Sequence, residues 1–430
     1  MSARNRELLA LIPASLLVTA GFAAIFIQRN ELLSNVSLTY GGIFLGLCFV
    51  AHLVIRFTLP HADPYLFPLV AVLACFGLVV VYRIDETLAR DQAQWFVIGL
   101  IAFAATIFLL RDFRVLERYR YTIALAGLAL LLLPRVPGIG QQVNGAYLGV
   151  GVGPISFQPA ELGKIAIVIF LAAYLRDTRQ VLVQGSRRFL GITIPPFKHL
   201  GPLLVVWGAA MFMLVFIRDL GSSLMYFGAF LALIYVATNR LSFVVIGLGM
   251  FAAGAYFFAS TVSHVQDRVD IWLDPFKTYD TTGYQIANGM FAMADGGLFG
   301  QGLGAAVLKV PGTGAALIQA PETDMIFAVI VNDLGLVGGL GVIATYMLIA
   351  ERGFKIATLA SDSFSKLLAT GLTAVMALQV FVIVGGVTRV IPLTGVTLPF
   401  VSYGGSSIVA NFILLALLLL ISNRARTPSS

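Results

Sequence analysis

Charged residues are scarce in this sequence. Asp, Glu, Lys and Arg make up 11% of its 430 residues, while hydrophobic residues make up 59%. Soluble globular domains carry about 25% charged residues, so an ordinary soluble fold is excluded. Long apolar blocks recur along the chain, and helices that satisfy their own backbone hydrogen bonds are the usual way to cross a bilayer. The sequence therefore predicts an all-α, polytopic integral membrane protein.

Cysteine and histidine are scarce as well. The two cysteines, Cys48 and Cys75, lie inside apolar runs and form no Cys-x-x-Cys pair. The four histidines form no His-Glu-x-x-His pattern. We therefore expect two small buried thiols, and neither a disulfide nor a zinc site. Basic residues come in small loop clusters without interleaved aromatic residues, which excludes a nucleic-acid partner.

The apolar blocks predict about twelve transmembrane helices, because a bilayer core about 30 Å thick needs roughly 20 apolar residues per helix. The first block is expected to be a retained helix, since its apolar core is longer than that of a cleaved signal peptide. The predicted spans are Leu8–Ile27, Thr39–Phe57, Pro64–Tyr82, Trp95–Leu110, Tyr121–Pro134, Pro159–Leu175, His199–Ile217, Gly221–Ala237, Ser242–Ser260, Met325–Ala350, Leu367–Thr388 and Gly405–Ile421.

The basic residues predict the orientation of these spans. With the N-terminus in the cytoplasm, the inner segments hold about two thirds of the Lys and Arg residues, as the positive-inside rule requires. Both termini are then cytoplasmic, and the loop Thr261–Asp324 between the ninth and tenth spans faces outward, as does the glycine-rich segment Arg135–Phe157. So long a loop with no obvious secondary structure is usually functional.

Asp324 joins this long loop to the next span. It ends the run Pro-Glu-Thr-Asp, directly before the apolar stretch that starts at Met325. Placing an ionisable group at such a boundary costs free energy, and residues of this kind usually have a function. Thr323 or Asp324 is a good N-cap for the following helix, and capping alone would explain the residue. The helix dipole also keeps a carboxylate ionised, as a general base requires. Asp324 is therefore the predicted catalytic residue, with capping as the alternative.

Glu161 and Lys164 enter the sixth span three residues apart, directly after Pro159. This spacing places an acid and a base on one helix face. One interpretation is a buried ion pair that locks the helix. The other is a water-filled cavity in which Lys164 meets an anionic head group. The two interpretations are compatible.

Two other positions carry weaker signals. Arg218 precedes Asp219 in the short turn of a helical hairpin, where it forms a turn-capping pair or offers its guanidinium to phosphate. Trp95 stands at a predicted outer interface, where tryptophan by default anchors a helix to the membrane surface.

The chain from Thr388 to Ser407 cannot form a regular span, because it holds two prolines and three glycines. Polar, irregular backbone at membrane depth needs protein or water around it. We expect it to line a cavity as a re-entrant loop, with Arg389 nearby.

Several long motifs follow one another in a set order and spacing. They are Asn144-Gly145-Ala146, the run Gln-Pro-Ala-Glu-x-x-Lys that contains Glu161 and Lys164, Pro-Glu-Thr-Asp followed by Ile-Phe-Ala-Val, and Leu-Pro-Phe-Val-Ser-Tyr-Gly-Gly-Ser-Ser. In these motifs the chain resembles the SEDS family of cell-wall proteins from about residue 63 to residue 421. The form of residues 388–392 and the short tail favour its RodA-like branch.

The resemblance implies ten family spans in residues 63–421, preceded by a two-helix extension (1–62) and followed by a short cytoplasmic tail (422–430). It implies a peptidoglycan glycosyltransferase of the cytoplasmic membrane that polymerises lipid II, the undecaprenyl-diphosphate-linked disaccharide-peptide, on the outer face. It also implies a class B penicillin-binding protein as partner. By position, Asp324 matches the family's essential aspartate, Trp95 its tryptophan near the second common span, and Glu161 and Lys164 its charged pair.

These expectations lead to a hypothesis of inverting glycosyl transfer. Asp324 removes the proton from the acceptor hydroxyl, and cations stabilise the departing diphosphate. Lys164, Arg218 and Arg268 are the candidate cations. No cofactor is required with certainty, although a divalent metal ion at the diphosphate is an alternative source of positive charge. The competing hypotheses are a lipid II translocase, which would show inverted repeats, and a scaffold for a synthase partner.

Overall fold

The computed structural model describes residues 3–28, 35–143, 146–152, 155–184, 187–189, 192–194, 208, 212, 219–308 and 316–427. Most of them are helical. The helices are α1 Ala3–Ala10, α2 Ile12–Gln28, α3 Asn35–Thr58, α4 Leu66–Ile84, α5 Glu86–Leu109, α6 Val115–Arg118, α7 Arg120–Leu132, α8 Pro159–Gln184, α9 Leu220–Thr238, α10 Leu241–Thr261, α11 Ser263–Leu273, α12 Tyr284–Gly296, α13 Ile326–Leu359, α14 Ser363–Val387 and α15 Gly405–Arg426, with a 3-10 turn at Leu133–Arg135. The strands are β1 Gly140–Val143, β2 Ala146–Val152, β3 Ile155–Phe157, β4 Arg187–Phe189 and β5 Ile192–Ile194.

Within these described ranges, nine helical stretches are long and apolar enough to cross a membrane. The prediction of a polytopic helical membrane protein is confirmed. The predicted fifth span is the 13-residue helix α7, and the predicted sixth lies in α8, which has 26 residues and carries charged side chains. The predicted span His199–Ile217 lies outside the described residues, apart from two isolated positions.

The chain forms two compact units. The first comprises residues 1–111, 270–352 and 379–430. Helices α5 and α15 pack closely in it because Gly99 leaves room for a ring: a Cβ at this position would lie 2.5 Å from Phe412. Phe96 and Phe103 meet the same ring at 5.4 and 6.2 Å between centroids, both edge-on, an arrangement that aromatic pairs favour.

The N-terminal helices are joined to this unit by buried charges. Glu7 accepts a hydrogen bond from Arg4, and its other carboxylate oxygen lies 2.8 Å from Nδ1 of His52. The Arg4 guanidinium also donates to the carbonyl of Ala62. Burial of a charge is tolerated when it is paired and hydrogen-bonded, so this cluster ties α1 to α3 and to the chain just before α4.

Helix α13 is broken at Gly335, where the backbone adopts φ +68° and ψ −173°. The peptide N–H groups after the break donate to another segment: Leu336 N to Gly297 O at 2.9 Å and Val337 N to Leu298 O at 3.1 Å. A loop inserted here therefore satisfies backbone groups that a straight helix would bond internally. The sequence predicted an unbroken span, Met325–Ala350; the helix instead runs to Leu359 and is interrupted near its start.

The connection between α10 and α13 is also more regular than expected. The sequence predicted no obvious secondary structure in Thr261–Asp324, yet α11 and α12 lie within it. Helix α12 buries Ile286 and Ala287 on one side. Glycines and polar residues around this short apolar face hide its helical periodicity in the sequence.

The second unit comprises residues 112–269 and 353–378. Helices α7 and α8 approach closely at two glycines: a Cβ on Gly127 would lie 2.9 Å from Ala166, and one on Gly163 would lie 2.8 Å from Leu131. The glycine-rich segment before α8 forms an antiparallel sheet in the order β1-β2-β3, which the all-α prediction did not include. Strands β4 and β5 form a separate antiparallel pair.

Candidate active site

Asp324 lies two residues before α13 and is 9% exposed. The carboxamide Nε2 of Gln285, on α12, is 3.4 Å from both of its carboxylate oxygens. The Thr323 hydroxyl donates to Oδ1 at 3.2 Å. A carboxylate is thus presented in a largely buried position with neutral hydrogen-bond donors beside it, which is a suitable environment for a general base.

The loop between α14 and α15, residues 388–404, holds the backbone on either side of Thr323. The Ser402 hydroxyl donates to the Thr323 carbonyl at 2.6 Å. The Tyr403 N–H donates to the Glu322 carbonyl at 2.8 Å. The expectation that this loop is irregular agrees with its lack of helix or strand between α14 and α15. Its ordered backbone fixes the segment that carries Asp324.

Tyr403, in this loop, feels the charges of two acidic residues that lie outside it. Burial raises the pKa of its phenol, and the negative charges of Asp91 and Glu322 raise it further. The Tyr403 hydroxyl therefore stays neutral around physiological pH and is available as a hydrogen-bond donor.

Trp95, on α5, packs against the start of α15, directly after this loop. Helix α5 starts at Glu86, after Asp85 caps it by accepting from the N–H groups of Thr87 and Leu88 at 2.7 and 3.2 Å. The helix begins nine residues before the predicted span, because the polar residues ahead of Trp95 are helical as well. The indole packs on Gly405, where a Cβ would lie 2.2 Å from the ring.

Arg389, beside the loop that the sequence predicts to line a cavity, hydrogen-bonds to the end of α11. Its Nε and Nη2 atoms donate to the carbonyls of Trp272 and Leu273, both at 3.0 Å, and the Trp272 indole N–H donates back to the Arg389 carbonyl at 3.0 Å. These bonds satisfy carbonyls at the C-terminus of α11, where basic groups are favoured by the helix dipole.

The second unit contains the other predicted charges. Lys164 Nζ lies 2.6 Å from Oε2 of Glu161, and the lysine is only 1% exposed. The i, i+3 spacing therefore produces a buried ion pair, as one of the two interpretations required. Nearby, the Tyr226 hydroxyl donates to the Ala160 carbonyl at 2.8 Å, which ties α9 to the start of α8.

Asp219 caps α9 beside this pair by accepting from the Ser222 N–H at 2.9 Å. Burial raises its pKa, and the negative charge of Glu161 adds to the rise, while Ser222 and the positive charge of Arg268 oppose it. Glu161, Lys164, Asp219 and Arg268 thus come together in one unit. Arg218 lies outside the described residues.

A family model described as "Cell cycle protein", covering FtsW, RodA and SpoVE, matches residues 64–427. The chain belongs to this family. The predicted family is therefore confirmed.

Individual members of the family resemble the chain over most of its length. The peptidoglycan glycosyltransferase RodA of Mycobacterium tuberculosis is 42% identical over 436 residues, covering 99% of this chain and 92% of the relative. A solved structure from work on the coordination of polymerization and crosslinking by a peptidoglycan synthase complex has a TM-score of 0.68 at 26% identity, covering 85% of this chain and 99% of that one. RodA of Thermus thermophilus has a TM-score of 0.60 at 25% identity, covering 86% and 98%.

The donors available for a metal ion in this FtsW/RodA/SpoVE-type chain are few. Among the residues that the structure describes, no three His, Cys, Asp or Glu side chains are grouped so as to hold one. A Mg²⁺ ion needs less than that when a diphosphate is present, because one or two carboxylates and the substrate oxygens suffice.

Sequence reasoning missed three polar residues of this site. Gln92 and Ser402 hydrogen-bond to loop backbone, and Gln285 contacts the Asp324 carboxylate. The sequence could have pointed to two of them, because Ser402 lies inside a family motif and Gln92 lies three residues before Trp95. Gln285 had no such signal, because no pattern in the long loop marks the face of α12 that meets Asp324.

Proposed function

We propose that this chain polymerises lipid II into glycan strands at the outer face of the cytoplasmic membrane, with Asp324 as the general base. The class of activity, peptidoglycan glycosyltransferase, is that of the RodA relatives and agrees with the prediction. One observation supports the assignment of the base above all: a largely buried carboxylate is held by Gln285 and by a clamped backbone where a long loop meets a membrane helix.

The reaction would be a direct displacement with inversion. Asp324 accepts the proton of the acceptor sugar's 4-hydroxyl as that oxygen bonds to the anomeric carbon of the donor. The bond between the anomeric carbon and the lipid diphosphate breaks at the same time, and the diphosphate leaves with the electron pair. A positioned general base contributes about 10²–10⁴-fold to such a step.

Positive charge is needed where the diphosphate departs. Lys164, Arg218 and Arg268 remain the candidates that the sequence offers. Lys164 is paired with Glu161, so it would act on an anion only as part of a pair that is neutral overall. A divalent cation at the diphosphate would be an alternative source of this positive charge, and loss of strand formation on chelation with recovery on added Mg²⁺ tests it.

We also propose a membrane topology and a partner for the enzyme. Both termini would lie in the cytoplasm, and residues 1–62 would form an extension before the ten family spans. A class B penicillin-binding protein would cross-link the new strands. Support for this partner comes from the similarity to a structure described as a peptidoglycan synthase complex that coordinates polymerization and crosslinking.

Incubation of the purified protein with labelled lipid II in detergent tests the function. A polymerase produces glycan strands without a membrane, whereas a translocase or a scaffold produces none. Strand formation that depends on Asp324 would support the proposal. Absence of strands under conditions that support a RodA relative would overturn it in favour of the translocase or scaffold.

A further inference from the structure

Gln92 contacts the backbone of the loop between α14 and α15 at two points. Its carboxamide Nε2 donates to the Ser402 carbonyl at 3.0 Å, and its Oε1 accepts from the Gly404 N–H at 3.3 Å. The side chain is 3% exposed. A buried carboxamide with both ends bonded fixes the peptide groups on either side of Tyr403.

The Ser402 hydroxyl continues this arrangement toward Asp324. It accepts from the Leu398 N–H at 2.9 Å and donates to the Thr323 carbonyl at 2.6 Å. Its single proton and one of its lone pairs are therefore both used, and the residue is 2% exposed. The acceptor on the far side is the carbonyl of the peptide bond that joins Thr323 to Asp324.

We propose that Gln92 and Ser402 are positioning residues for the Asp324 carboxylate. This inference rests on the proposed function. Helix α5 holds the loop through Gln92, the loop holds the Thr323 carbonyl through Ser402, and the peptide bond next to Asp324 is thereby fixed in place. Neither side chain touches the carboxylate or needs to touch substrate.

Small displacements matter for a general base, since a misplacement of about 1 Å can cost roughly 10²-fold in rate. In the proposed mechanism the base meets only the acceptor hydroxyl, so we expect binding of the lipid-linked donor not to depend on the orientation of the Asp324 carboxylate. Loss of either positioning residue is therefore expected to lower kcat and to leave KM nearly unchanged.

The test compares Gln92→Leu and Ser402→Ala with matched controls in detergent polymerisation assays. We expect kcat to fall roughly 10–100-fold in each, with KM within about twofold of wild type. Ser402→Thr, which keeps a hydroxyl, should recover most of the rate. Gln94→Leu, an exposed residue on the same helix, should behave as wild type. If Ser402→Ala does not fold, Gln92→Glu serves instead, because it keeps the acceptor for Gly404 and loses the donor to Ser402.

The double variant supplies a second readout. Because both residues act through one segment, Gln92→Leu combined with Ser402→Ala should be no more than about threefold slower than the slower single variant. Wild-type kcat in both single variants, or a rise in KM with kcat unchanged, would overturn the inference. Wild-type activity of Asp324→Asn would instead remove the proposed base itself, so the two failures are distinguishable.

Discussion

The Gln285 carboxamide nitrogen lies at the same distance, 3.4 Å, from both carboxylate oxygens of Asp324. A helix within the long loop thus supplies a donor to the carboxylate that ends the loop. The contact links the folding of this loop to the proposed chemistry.

Replacement of Gln285 by Leu should slow polymerisation without abolishing it. At 3.4 Å the hydrogen bond is long, so we expect a loss of about 1 kcal/mol, or roughly fivefold in kcat. Gln301→Leu is the control, because Gln301 is an exposed glutamine in the same connection. Equal rates for both variants and wild type would show that Gln285 has no part in orienting the carboxylate.

The buried pair in α8 predicts a separation of stability from activity. Lys164→Met leaves the Glu161 charge buried and unpaired, which should lower the free energy of unfolding by about 3–5 kcal/mol. Adding Glu161→Gln should restore much of that loss. If Lys164 also meets the diphosphate, the double variant regains thermal stability in detergent but not strand formation. Recovery of both properties would reduce the pair to a structural role.

Substitution of alanine for two glycines of α13 should have different effects on the stability of the protein. Gly335→Ala forces a side chain into a left-handed backbone and places its Cβ 2.3 Å from the Leu298 carbonyl oxygen, so we expect a destabilisation of about 1–3 kcal/mol. Gly341→Ala meets nothing within 4 Å in the same helix and should be neutral or stabilising by up to about 1 kcal/mol. Thermal unfolding of the two variants side by side measures the difference. A stable Gly335→Ala protein would contradict the broken helix.

Asp219 predicts a pH dependence of stability. Burial raises the pKa of this carboxyl, so the folded state binds its proton more tightly than the unfolded state does. Its contribution to stability is therefore most favourable below the unfolded pKa of about 4 and declines as the pH rises through the folded pKa. Asn is an equally good cap and does not titrate. The unfolding temperature of wild type should thus fall more than that of Asp219→Asn between about pH 4 and pH 7; parallel curves would contradict the assignment.

Much of this site follows from the sequence for identifiable physical reasons. Asp324 and the pair Glu161–Lys164 stand out because charge is rare in apolar surroundings, and their short spacing fixes local geometry. Contacts between distant segments leave no such mark. Gln285 reaches Asp324 across 39 residues, and Gln92 reaches Ser402 across 310.

The local sequence pattern also failed to show two features of the helices. Residues Glu86 to Gln94 are too polar for a span, yet they belong to α5, because a helix can extend beyond the apolar core of a membrane. The apolar run after Met325 looked continuous, yet Gly335 interrupts it. A glycine breaks a helix only when another segment accepts hydrogen bonds from the backbone N–H groups that the break leaves unpaired. Here that segment is the loop at Gly297, which lies too far away in the sequence for the local pattern around Gly335 to reveal it.

The turnover of Asp324→Asn is the decisive measurement for the role of this carboxylate as the general base. Purified wild type, Asp324→Asn and the exposed control Asp280→Asn would be compared for strand formation from labelled lipid II in detergent, with unfolding temperatures measured on the same samples. We expect a loss of at least about 10²-fold for Asp324→Asn, an unfolding temperature close to that of wild type, and normal activity for Asp280→Asn. Wild-type rates and strand lengths from a folded Asp324→Asn protein would contradict the assignment of Asp324 as the base.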